Sequence, residues 1–410
     1  MNTIQIKFKT LFALLLVGSI ITSCSSDDDT IDDSGDPNPD TPAGIIVIDS
    51  NIDSETVLIN HRTGVDYEIC GGINVKADLI IEAGVEIVMC AGAGINVENT
   101  GSFNAVGTLD SPIILRGKTA SPGFWDLLHF DSNNPNNELN YVSIADGGGS
   151  GTYSNAIIWV NNNNAGQLTL KNSTIKNSKG YGLAIEDNAL IPNFSNNVFS
   201  SNGDAPINIP MSIIGSLDDA SDYGDGNTKN HIEVFSSSMN QPQMVKNINV
   251  PYLIEGSLNI KDDLTLSPGV RFLMGSGAGI NISSSGSMHA IGTSNEPITI
   301  KGNVDAVGYW GLIHLDSNNP LNEFAFVNLK NGGSSGTYGY SSIWVNNNNN
   351  GSFIMNDCSI SDSYSWGLVV ENGATMTPST KAGVESANTF SNNGNGTNAD
   401  CTDGCSVIFQ

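Results

Sequence analysis

The feature that most restricts what this chain can become is an internal duplication. Residues 123–164 align with residues 308–349 without a gap at an offset of 185, and 25 of those 42 positions are identical. The segment GFWDLLHFDSNNPNNE returns as GYWGLIHLDSNNPLNE, and upstream AGINVENTGSFNAVGT is answered by AGINISSSGSMHAIGT at the same offset. Near the carboxyl end NVFSSNG at Asn197 meets NTFSNNG at Asn388, an offset of 191, so the second copy holds six extra residues there. A finer period runs inside each copy, with Ile175 answered by Val198 23 positions on. Short runs of alternating polarity, punctuated by Gly and Asn and recurring at that spacing, predict one solenoid coil per period. Asn suits the corners because it tolerates left-handed backbone and can ladder its side chain from coil to coil. Composition agrees, since 45 glycines and only 14% charged residues favour strands and turns over helices.

Several paired motifs, ADLIIEAGVEI with DDLTLSPGVRF, GTLDSPIILRG with GTSNEPITIKG, and the Gly-x-Trp starts at Gly123 and Gly308, resemble rungs of exported β-helix proteins of the Bacteroidota. The resemblance covers nearly everything from Gly44 to Gln410. It implies an all-β fold, a right-handed parallel β-helix of two tandem homologous halves. Residues 44–210 form the first half, 211–230 the junction turns, and 231–410 the second half with a carboxyl-terminal cap. Activity is not implied, because such helices host lyases, hydrolases, adhesins and structural proteins.

The amino terminus carries Lys7 and Lys9, an apolar run from Leu11 to Ile21, and then Ile21-Thr22-Ser23-Cys24. A basic start, a short apolar core and small residues before a cleavage point read as an export signal over residues 1–23. The form resembles the lipobox of bacterial lipoproteins, which implies lipid attachment at Cys24 and anchoring to the outer membrane. Ser25-Ser26-Asp27-Asp28-Asp29 resembles the acidic export tag of Bacteroidota surface lipoproteins and implies outward display. Residues 24–43 are too polar to bury a core and read as a disordered acidic tether. Net charge is -26, and removing the signal leaves 14 cations against 42 acids. A field of that sign repels nucleic acid.

Strand alternation assigns side chains to the interior or the surface. Leu128, Phe130, Ile158 and Val160 point inward by this rule. The opposite parity carries His129 and Asp131 with Trp125 in one copy, His314 and Asp316 with Trp310 in the other, and places Trp159 and Trp344 outside as well. Outward aromatics flanked by Asn can stack on sugar rings and bond their hydroxyls, which makes these eight residues candidate ligand contacts for a neutral glycan or another surface protein. Both sets are expected on one face of the helix. The His-x-Asp pairs supply too few ligands for zinc, and neither metal nor cofactor is expected. Elements resembling those of polygalacturonases are missing, since His129 is followed by Phe, His231 by Ile and Arg116 by Gly. The pairs Asp218-Asp219 and Asp262-Asp263 read as solvated turns. A surface binding or adhesion module is therefore favoured over a polysaccharide-degrading lyase or hydrolase, and over a purely structural envelope protein. Cys70 and Cys90, 20 residues apart, are expected to bridge adjacent coils, and Cys401 and Cys405 to close a loop in the cap, with Cys358 a lone buried thiol.

Overall fold

The computed structural model describes residues 44–98, 100–151, 155–283, 285–334, 338–396, 401 and 405–410. Cys24, its signal and the acidic segment lie outside the described residues. Short strands follow one another round a coil and pair in parallel with strands one coil away, giving five parallel sheets. The chain is a parallel β-helix, in the coil that right-handed crossovers generate.

The two halves do not stack face on matching face. In the first half, Glu86–Met89, Gly94–Val97 and Ser102–Val106 enter an 8-stranded, a 13-stranded and a 6-stranded sheet in turn. Their counterparts Arg271–Met274, Gly279–Ile282 and Ser287–Ile291 enter the 13-stranded, a 7-stranded and a second 6-stranded sheet. The second copy is screwed round by one face, so only the 13-stranded sheet runs through both. The change happens at the junction, where a 3₁₀ helix, Met211–Ser216, stands where a strand would lie between Ile207–Pro210 and Asp222–Asp225. Met211 and Ile214 of that helix are buried, so the interior stays filled where the strand is missing.

Inside, like positions stack. The row Ile73, Ile95, Leu128, Ile158, Leu183 is in direct register along the long sheet and fully buried. Beyond the junction Ile232, Tyr252, Phe272, Ile300 and Leu329 continue that row. Each such aliphatic side chain contributes about 1.5–3 kcal/mol by leaving water. The corners use the expected amide ladders. Asn202 accepts from Ser178 N at 3.1 Å and donates through Nδ2 to Ile175 O at 3.3 Å, while its own N–H donates to Asn227 Oδ1 at 3.0 Å. Asn388 and Asn393 repeat the device in the second half, accepting from Cys358 N and Ser363 N. The six extra residues there are absorbed around a short helix, Lys381–Ala387, capped by Thr380 and seated through buried Val384.

Cys70 and Cys90 are disulfide-bonded at the ends of the paired strands Tyr67–Ile69 and Glu86–Met89, and Cys401 is bonded to Cys405. Cys358 is a free buried thiol, raised to about 12 by burial. Its Sγ contacts Asn356 O at 3.2 Å, where Ser173 Oγ in the other copy donates to Lys171 O at 2.7 Å.

Trp125 and Trp310 correct the parity argument. Both are fully buried, with indole N–H groups donating to Ala145 O and Lys330 O at 2.7 Å. They precede the strands Leu128–Phe130 and Ile313–Leu315, and alternation holds only within a strand. The turn folds each indole into the core, so neither ring is open to a ligand. Asp218 also departs from expectation: it is buried, accepting from Asn196 N at 3.1 Å and from the Ser221 hydroxyl.

Candidate functional site

The outer row of the long sheet begins Asn74, Asn96, His129, Trp159, in direct register on four neighbouring strands. These residues line an open groove of about 350 Å3 with Gly72, Gly94, Asp126 and Leu127. Gly72 leaves its floor bare, since a Cβ there would meet nothing within 4 Å. The His129 and Trp159 rings stack, centroids 4.1 Å apart and 11° from parallel. Asn96 donates to Asn74 Oδ1 at 3.2 Å. Burial pushes the His129 imidazole down to about 4 against the pull of Asp131, so it is neutral at physiological pH. Burial also raises the Asp126 carboxyl. His129 Nε2, Asn96 Oδ1 and Asp131 Oδ1 are buried and have no hydrogen-bond partner among the described residues.

The second copy rebuilds the row as Asn259, Asn281, His314, Trp344, but on the 7-stranded sheet. The expectation that both sets share a face is therefore overturned by the one-face screw. Trp344 is stacked with His314 at 4.3 Å and with Tyr338 at 4.2 Å, both within 13° of parallel. Two rings so close and so nearly parallel to one indole must cover its opposite faces. His314 Nε2 and Asn346 Nδ2 are hydrogen-bonded at 3.0 Å, and Asp316 accepts twice from Asn349, at 3.2 and 2.9 Å. Gly311 stands where the first copy has Asp126. His129 Nε2 and Asp131 Oδ1, unpartnered among the described residues of the first half, thus have bonded counterparts in His314 and Asp316 of the second.

Sequence reasoning missed the region where the halves meet. Tyr181 donates to Glu233 Oε1 at 2.7 Å, and Lys229 bridges Asp204 at 2.8 Å and Glu233 at 3.4 Å. Burial, reinforced by Glu233, raises the Tyr181 hydroxyl. Tyr181 packs with Ala156, Ala184 and Ala205 against Trp159, carrying the outer surface on from the groove. Beyond lie two grooves of about 470 and 510 Å3 that share Asp187. Tyr181 and Glu233 are 52 residues apart, and the junction has no twin to flag it; the departure from the repeat at 211–230 was the available signal. Among the described residues, the one His/Cys/Asp/Glu trio close enough to hold an ion is Glu68 with Cys70 and Cys90, and those sulfurs are joined to each other. No protein-family profile, curated protein or solved structure matches the chain.

Proposed function

We propose that the chain is a surface-anchored, non-catalytic binding module that holds a neutral glycan in the groove of its first half. The observation that carries the reading is that His129 and Asn96, whose buried polar atoms are unpartnered among the described residues, line an open groove. Each such atom costs about 1–3 kcal/mol while it stays covered, a cost that a small opening of the groove wall onto a ligand hydroxyl would recover. A neutral imidazole, amides and an aromatic edge suit hydroxyl groups, whereas the strong negative charge disfavours polyanions. In this reading Cys24 carries the lipid, and the acidic tether displays the helix outside the outer membrane.

The test is a neutral-glycan array probed with the mature protein and with His129→Ala and Trp159→Ala. We expect binding that both substitutions reduce by tenfold or more. No binding by the native protein, or binding indifferent to both changes, would remove the reading.

A further inference from the structure

We infer that the ligand is a polymer, lying along the outer face of the long sheet from the groove at Asn74 to the junction groove at Phe235. The inference rests on the glycan reading and adds length, direction and a second contact zone. Its basis is the register. The outer row continues from Trp159 through Ala184 and Asn208 to Glu233, with Phe235 projecting beside it from the same strand, Ile232–Phe235.

Three observations favour a track over two unrelated hollows. Between the grooves stand Trp159, Ala184 and buried Tyr181, which pack together as an apolar stretch. At the far end, Phe235 is a half-buried outward ring in a groove of about 470 Å3 lined by Asn162, Asn163 and Asn208 with Glu186 and Asp187, an aromatic face beside amides and carboxylates that can bond sugar hydroxyls. From Glu233 the row passes to Leu253 and Leu273 and then to Lys301 and Lys330, so its amides end at Asn208. The second half offers no such extension, because its row passes from Trp344 to Val369 and Ile408.

The strands bearing Asn74 and Phe235 are six steps apart in the sheet. At about 4.8 Å per step the track is about 29 Å long. That length fits an extended chain of about six sugar units, taking each as about the rise of one strand step. Strands in direct register along the row suit an extended polymer, so the class inferred is β-1,4-linked neutral glycans.

The experiment is titration calorimetry of the mature protein with β-1,4-linked oligomers of glucose, mannose and xylose, from disaccharide to octasaccharide. For the sugar that binds, affinity should climb with length, level off near the hexasaccharide, and exceed that of the disaccharide by tenfold or more. Phe235→Ala and, independently, Asn208→Ala should erase the gain, leaving the hexasaccharide no tighter than the disaccharide, while circular dichroism reports intact fold. Disaccharide binding lost in His129→Ala, with no gain from greater length, would overturn the track and leave the glycan reading standing. Failure of every oligomer to bind would overturn both.

Discussion

The two halves repeat the same coils but differ in how the polar side chains of their outer rows are bonded. In the first, His129 and Asn96 keep unspent hydrogen-bonding atoms beside an open groove. In the second, Asn346 and Asn349 bond the side chains of His314 and Asp316. Identical row residues therefore do not make identical sites. The neighbours are the same residue types too, Asn161 and Asn164 against Asn346 and Asn349, so it is their placement and not their identity that separates the two rows.

Stability should not distinguish the halves at their buried tryptophans. Trp125→Ala and Trp310→Ala should each cost about 3–5 kcal/mol in urea unfolding, because both indoles are enclosed and hydrogen-bonded. A cost below about 1 kcal/mol in either would show that ring to be loosely held. The disulfide does separate them, since Glu255 and Gly275 occupy the places of Cys70 and Cys90. Replacing both cysteines with Ser should lower stability by about 3 kcal/mol, with hydrogen exchange rising in the first coils alone; uniform loosening along the solenoid would contradict a local clasp.

For recognition, Trp159→Ala should weaken glycan binding tenfold or more, about 1.4 kcal/mol, whereas Trp344→Ala should leave affinity within twofold. Equal losses would mean that both copies bind. The smallest effect expected is with pH. His129 is held near 4 in the fold against an ordinary 6.5, so the unfolded chain takes up its proton first as pH falls. Its contribution to stability is present above 6.5 and declines from there to about 4. Glycan affinity should stay level from pH 8 to 5 and drop toward 4, with His129→Gln flattening that last fall; a midpoint near 6.5 would mean that the ring is solvated.

Much of this was legible in the residues. The repeat predicted the solenoid, and alternation placed Leu128, Phe130, Ile158 and Val160 inside and His129 and Trp159 outside, because within a strand the peptide geometry leaves no other choice. The missing sulfurs at Glu255 and Gly275 pointed to the Cys70–Cys90 bridge. Trp125 and Trp310 were misplaced because a turn can rotate a side chain to either side, and periodicity says nothing about turns. The one-face screw was hidden for a related reason. A count of residues per coil fixes how far the chain climbs, but the face on which a copy resumes depends on a single strand position taken by the helix Met211–Ser216. The junction network of Tyr181, Lys229 and Glu233 joins residues from separate coils, which no local pattern records.

The unit length of 185 residues has an evolutionary corollary. Excising one unit between equivalent points, such as Gly123 and Gly308, would remove whole circuits and one further side, and would leave each remaining circuit with its sides in order. His314 would then settle on the long sheet above Asn96, in the seat that His129 now fills. Growth or shrinkage by recombination is thus open to this protein without refolding, and the orientation of a patch can be changed by the same event that copies it.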